Sequence, residues 1–385
     1  MLHFVNFSPN PSLSNFKNYV IYIMNNARRT SYSQFIEENS SNKSKLFRES
    51  KRLLNIQTDK TNAVKLANDM GDYFVHKITA VRSKLAAITQ SPPGADREFD
   101  SVTTLEMTDP SFSEFALLTE DDVRKLALAC KKSCELDPLP SSILSLHLDH
   151  LLPVITKMIN LSLKTGRFAD EWKNALVHRL LKKPGLELVN KNFRSISNLQ
   201  FTSKLTDKAV AIQLQTHMLT NGLFPEMQSA YREHHSTETA LLKVKNDILT
   251  NLDMGHVTLL VLLDLSAPLD TVDHDILIHR LKSLLGLRGS VLQRFRSYLR
   301  GRSQQVTING ALSKTFGLEC GVPQGSCLGP LLFTIYASKL FSVIKSHLPS
   351  AHSYADDTQL PLSFRPLEGT CKAEALDAME NCMHR

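Results

Sequence analysis

The side chains with the most chemical potential are carboxylates at two distant places. Asp264 ends the apolar run VTLLVLL, Val257 to Leu263. A short continuous run of this kind reads as a strand buried on both faces. An ionised carboxylate there needs compensation, and a bound cation supplies it. Taken alone, a turn-forming aspartate is the plainer reading. The second place is HSYADDTQLPL, His352 to Leu362, where Asp356 and Asp357 are adjacent. The pattern predicts a strand-turn-strand with the acids at its tip. Like charges repel, so such a pair serves solvation or a divalent metal. Phosphoryl transfer with two metals needs carboxylates from separate strands around ions roughly 3.5–4 Å apart.

Other stretches carry ligand-binding character. In GVPQGSCLGPLL, Gly321 and Gly325 let backbone approach a ligand, Pro323 stiffens the loop and Ser326 caps the next helix. An ordinary loop before a helix is the alternative. Arg232 lies in SAYREHHSTETALL, and an arginine fork can hold phosphate oxygens in a bidentate way. The helix GSVLQRFRSYLRGR interleaves Arg294, Arg296, Arg300 and Arg302 with Phe295 and Tyr298. That mixture suits a nucleic-acid backbone, with an amphipathic helix as the rival reading.

In chain order, NFRSISNL, SAYREHHSTETALL, LLDLSAPLDTVDHDIL, CGVPQGSCLGPLLFTIY and YADDTQL resemble the motifs of the reverse transcriptase of non-LTR (LINE-type) retrotransposons. The resemblance extends more weakly from about residue 30 to about residue 380. It implies that Asp264 and Asp356 hold two magnesium ions with the carbonyl of Leu265, and that Asp357 supports the site. Magnesium agrees with an all-oxygen ligand set. It also implies that Arg194 and Lys204 approach template and nucleotide, that Arg232 grips the triphosphate, and that Gln324 and Gly325 pack against nucleotide and templating base. The partners implied are an RNA template, a DNA primer and deoxynucleoside triphosphates.

The sequence departs from the family in places. Pro268-Leu269 stands where the family has Ala-Phe, whose ring lies under the deoxyribose and excludes a 2′-hydroxyl. Leu269 is a smaller wall, and Pro268 pushes Ala267 out of the helical region. Phe193-Arg194-Ser195 replaces the usual Tyr-Arg-Pro.

Elements must position these residues. The 385 residues are 42% hydrophobic, enough for a sizeable core, and carry net charge +7 with pI near 9.0. Of that charge, +5 lies in the first sixty residues, which read as two short polar helices around a Ser/Asn-rich break. This charge run is a solvated face or a template contact. Leu66, Met70, Phe74, Ile78, Val81 and Leu85 then predict a long amphipathic helix. QSPPGADREFDS breaks it, setting boundaries at 1–100 for a basic helical extension, 101–256 for fingers and the start of the palm, and 257–385 for the palm. Thr119 with Asp122 predicts a capping box, and Asn309-Gly310 a hairpin turn.

The six cysteines lack metal-ligand spacing and read as reduced thiols of an intracellular protein, at work in cytoplasm and nucleus. No apolar run has the length of a membrane span, and the N-terminus lacks a signal-peptide layout. The expected fold is α/β (α+β): an antiparallel palm sheet flanked by helices, with mixed fingers. Residue 385 follows Asp357 closely, so the thumb is expected to be missing. The reading is an RNA-directed DNA polymerase. The alternative is a catalytically impaired nucleic-acid-binding remnant of a decayed element, which binds primer–template and extends it poorly.

Overall fold

The computed structural model describes residues 60–88, 110–130, 134–137, 140–348, 350–366 and 369–383, with Thr30, Ser33, Gln34, Glu37 and Glu38 besides. The two polar helices expected before residue 60 and the break at QSPPGADREFDS lie outside these residues, the five isolated positions apart.

In chain order the elements begin with the helices α1 (Lys60–Ile88), α2 (Glu120–Leu128), α3 (Ser141–Leu146) and α4 (Leu148–Thr165). Two strands follow, β1 (Asn174–Leu181) and β2 (Phe193–Asn198), then α5 (Phe201–Thr220) and α6 (Thr237–Asp253). Strand β3 (Val257–Leu263) leads to α7 (His274–Leu285) and α8 (Gly289–Leu299). Strands β4 (Arg302–Ile308), β5 (Ala311–Leu312) and β6 (Phe316–Leu318) precede α9 (Gly329–His347). The hairpin β7 (His352–Tyr354) and β8 (Asp357–Phe364) and the helix α10 (Gly369–Met383) complete the described elements.

Local chemistry sets several boundaries as expected. Thr119 and Asp122 form a reciprocal capping box at α2, and Ser236 with Thr239 does the same at α6. Asn309 (φ 52°) and Gly310 (φ 77°) make the left-handed pair that a tight hairpin turn requires. Ser326 Oγ accepts a hydrogen bond from the Gly329 amide at 2.8 Å, satisfying an orphan donor at the start of α9.

The strands form two sheets. The larger has the order β2-β1-β4-β5, with β6 also on β4; β1 and β4 are parallel and the other pairs antiparallel. The smaller is antiparallel in the order β3-β8-β7. One large core joins α2, α4, α5, α7, α8 and α9. A second lies under the larger sheet and a third between the smaller sheet, α9 and α10.

Two expectations need correction. The run Val257–Leu263 is not buried on both faces. It is an edge strand whose Val261 and Leu263 pack on the third core, while Leu262 stays 69% exposed. Continuous hydrophobicity does not tell an edge from a centre. The buried stripe of α1 is Ala63, Ala67, Met70 and Phe74, and Leu66 is exposed. Small alanines face the sheet because the helix lies close to it: a Cβ on Gly71 would stand 2.2 Å from the Phe316 ring. Although the sequence sets residues 1–100 apart, α1 within them shares a core with β1, β2 and β4.

Candidate active site

The smaller sheet brings the carboxylates together. Leu263 pairs with Thr358, and Tyr354 with Asp357, so the chain leaves β3 at Asp264 level with the hairpin tip. Burial, then the neighbouring Asp356 and Asp264 carboxylates, push the Asp357 carboxyl above the usual range. Asp357 thus feels both other carboxylates at the end of the smaller sheet. Asp264, Leu265 and Asp356 line a cavity of about 570 Å³. Asp357 is exposed and does not line it.

The tip is held by a residue the sequence reading passes over. Gln228 is buried; its Nε2 donates to the Ala355 carbonyl at 3.0 Å, and its Oε1 accepts from the Ala355 amide at 2.8 Å. Ala355 has φ 59°, a left-handed conformation that costs a non-glycine residue roughly 1–3 kcal/mol. The two bonds from Gln228 hold that turn, and with it Asp356. Tyr231, three residues on, also has positive φ (60°) and lines the cavity. Burial, then Asp356 and Tyr354, push its phenol up. The signal in SAYREHHSTETALL was its arginine, which hid the Gln and Tyr before it.

The Gly-rich loop forms the adjoining wall. The Gly321 amide donates to the Val272 carbonyl and the Val322 amide to the Leu269 carbonyl, both at 2.8 Å. The Ser197 amide donates to the Gln324 carbonyl at 2.8 Å, and Gln324 lines the cavity. Glycine is required at Gly325, where φ is 133° and a Cβ would lie 2.4 Å from the Ser197 carbonyl oxygen. His274, at the start of α7, meets the Gly321 carbonyl through Nε2 at 2.8 Å. Ala267, before Pro268, has φ 54°; it lies outside the right-handed helical region as expected, but at positive φ rather than in the extended region that a following proline favours. Leu269 lines the cavity and packs against the large core.

Cationic side chains face this set. Lys77, Lys182 and Arg194 line the same cavity. The site thus joins three acidic side chains, Asp264, Asp270 and Asp356, and the Leu265 segment to cationic side chains, with a polar amide beside them. Among the described residues no three His, Cys, Asp or Glu side chains form a closed metal cage. The carboxylates of Asp264 and Asp356 are hard oxygen donors of the kind that hold magnesium together with substrate phosphates.

Comparison with known proteins fits this arrangement. The pattern of the family described as reverse transcriptase (RNA-dependent DNA polymerase) matches residues 181–383, more than half of the chain. The chain belongs to the reverse transcriptase family. It is 30% identical over 234 residues to the probable RNA-directed DNA polymerase from transposon X-element of Drosophila melanogaster, covering 60% of this chain and 25% of that protein. It is 28% identical over 271 residues to the RNA-directed DNA polymerase from mobile element jockey of Drosophila funebris, covering 68% of this chain and 29% of that protein. The chain therefore spans between a quarter and a third of the length of these two relatives.

The chain does not place every expected residue at the cavity. Lys204 donates to Asn198 Oδ1 at 2.7 Å and does not line it. Arg232 lies over the Phe224 ring at 5.3 Å and donates weakly to the Gln228 carbonyl at 3.4 Å. Gly325 stands behind Gln324 against β2, and Arg296 is exposed outside the cavity wall. Arg294, expected as a nucleic-acid contact, is fully buried at 0% exposure. It stacks on Phe168 at 4.3 Å beside Tyr298 and acts electrostatically on Asp207. Val291, Phe295 and Tyr298 share its buried face, so this arginine went inward with the apolar stripe.

Proposed function

We propose that this chain is the reverse transcriptase domain of a non-LTR retrotransposon, an RNA-directed DNA polymerase using two divalent metal ions, with magnesium the ion preferred by its donors. In this reading the smaller sheet is the palm and the larger sheet belongs to the fingers. The observation that carries it is the meeting of Asp264 and Asp356 in one cavity with Lys77, Lys182 and Arg194.

Asp264 and Asp356 would hold the metal ions with the Leu265 carbonyl. When bound, the ions lower the pKa of the primer 3′-hydroxyl and neutralise charge on the triphosphate and leaving pyrophosphate. The chain's own residues do the positioning. Gln228 fixes the acid-bearing turn through Ala355. The loop from Gly321 to Gly325, held by Val272, Leu269 and Ser197, presents Gln324 to the nucleotide and templating base. Lys182 and Arg194 bring positive charge to a ligand that is a polyanion. Leu269 is the wall beneath the sugar. An RNA template, a DNA primer and deoxynucleoside triphosphates are the substrates this arrangement suits.

The test is extension of a DNA primer on an RNA template by one nucleotide with magnesium. Extension by the chain, lowered by at least about a hundredfold in Asp356→Ala and Asp264→Ala, is the expected result. Extension that survives both substitutions overturns the assignment. Magnesium-dependent binding of template, primer and nucleotide with no extension supports the impaired remnant instead.

A further inference from the structure

The cationic wall of the cavity is built partly by α1, which precedes the matched residues 181–383. This helix turns Phe74 and Lys77 towards the cavity, three residues apart and therefore on one face. Its seat is fixed on either side of them. On one side the Lys314 amide donates to Asn68 Oδ1 at 2.8 Å, and Lys314 Nζ pairs with Asp72 at 3.0 Å. Gly71 there lies against the Phe316 ring with no room for a side chain. On the other side Arg82 pairs with Asp273 at 2.9 Å. Between the two clamps, Met70 and Phe74 are buried in the core under β1, β2 and β4. Lys77 is thus offered to the cavity from a helix that has little freedom to turn.

Inside the cavity wall Lys77 acts on Asp270. Burial raises that carboxyl, and Lys77 is the charge that opposes the rise. Asp264 and Asp356 border the same space, as do Lys182 and Arg194. A lysine is a compact point charge with rotatable donors, suited to phosphate oxygens whose position shifts during reaction. A polyphosphate entering this space offers the ammonium more negative charge than one recessed carboxylate does.

We infer that Lys77 is a nucleotide-binding residue, an ammonium that α1 contributes to the triphosphate of the incoming nucleotide. The inference rests on the reading of the cavity as the nucleotide site. In the structure Lys77 lines the cavity with Asp270 without forming an ion pair with it; with nucleotide bound, the ammonium reaches phosphate and Asp270 stays in the wall. Discrimination should follow the number of phosphates, which a purely structural role for Lys77 would not produce.

The experiment uses the full 385-residue chain with magnesium and a fluorescent methylanthraniloyl-dATP probe, displaced in turn by dATP, dAMP and inorganic triphosphate. In Lys77→Met, which keeps the aliphatic stem, affinity for dATP and inorganic triphosphate falls about tenfold, while affinity for dAMP stays within about twofold. Lys77→Arg recovers most of the loss, and thermal melting of both variants matches the parent chain. Equal loss for dAMP and dATP, or no loss for either, overturns the inference. A parent chain that does not bind dATP, or whose binding is indifferent to Asp264→Ala and Asp356→Ala, overturns the reading of the cavity itself. A parent chain that binds as expected beside an unchanged Lys77→Met overturns the role of Lys77 alone.

Discussion

At the scale of single residues, the buried charges under α8 set a pH dependence of their own. Asp207 is fully buried; Tyr298 Oη donates to its Oδ2 at 3.3 Å, and Arg302 donates to the Tyr298 carbonyl at 3.1 Å. Burial pushes the Asp207 carboxyl up to about 6, against the pull of Arg294 and Arg302. An acid whose folded pKa exceeds its unfolded value binds more proton when folded. Stability therefore falls as pH rises from about 4 through about 6, and the loss is complete near pH 7. The size is on the order of 3 kcal/mol. Urea denaturation of the parent chain and Asp207→Asn checks this: the stability of the variant relative to the parent is expected to improve between pH 4 and pH 7 by that order. A difference that stays flat across the window would show that Asp207 does not titrate there. The same cluster explains why Arg294 was misread. Arginine in a helical repeat signals a wet face unless aromatic partners and a carboxylate wait inside, and Phe168 and Asp207 come from distant parts of the chain.

At the scale of elements, legibility followed the range of the interaction. The capping box at Thr119, the Asn309-Gly310 turn and the acid-tipped hairpin are set by neighbours in sequence, and each stands where the residues put it. The cavity was legible as a meeting of Asp264 with Asp356, because both ended recognisable strands. Its cationic wall was legible only in part: Arg194 lines it, but Lys77 belongs to a helix that reads as core, and Lys204 and Arg232 found partners nearer than the cavity. The edge position of β3 was hidden for a related reason, since pairing order depends on strands about a hundred residues apart. The Gly-rich loop offers a prediction at this scale. Gly325→Ala must shift the loop away from the Ser197 carbonyl, costing about 1–3 kcal/mol and displacing Gln324. Gly310→Ala meets open space and bears only the left-handed strain, about 1–2 kcal/mol. Thermal melting should therefore fall in both variants, while dATP affinity falls in Gly325→Ala alone. Intact binding by Gly325→Ala would detach the loop from the site.

At the scale of the whole molecule, several large apolar side chains on neighbouring elements are exposed among the described residues. Leu260 and Leu262 of the β3 edge are exposed, as are Leu241, Leu242, Leu249, Leu252 and Met254 on and after α6. An uncovered edge strand with apolar side chains is a template for association. Light scattering behind size-exclusion chromatography is expected to show the mass of this chain rising with concentration, and Leu262→Lys to shift it towards monomer. A parent chain that stays monomeric at every concentration would remove this expectation. The seat of α1 has a consequence in time rather than space. Its clamps reach Asp273, 191 residues downstream of Arg82, and Lys314, 246 residues downstream of Asn68. A ribosome adding about 5–20 residues per second makes this helix roughly 10–50 s before the last part of its seat emerges. Met70 and Phe74 wait in water through that interval. The helix that carries Lys77 is made well before its seat and docks only when synthesis has passed the β4-β6 region, while the cavity is complete only once the β7-β8 hairpin brings Asp356, so a chaperone that shields apolar helices has a long opportunity there.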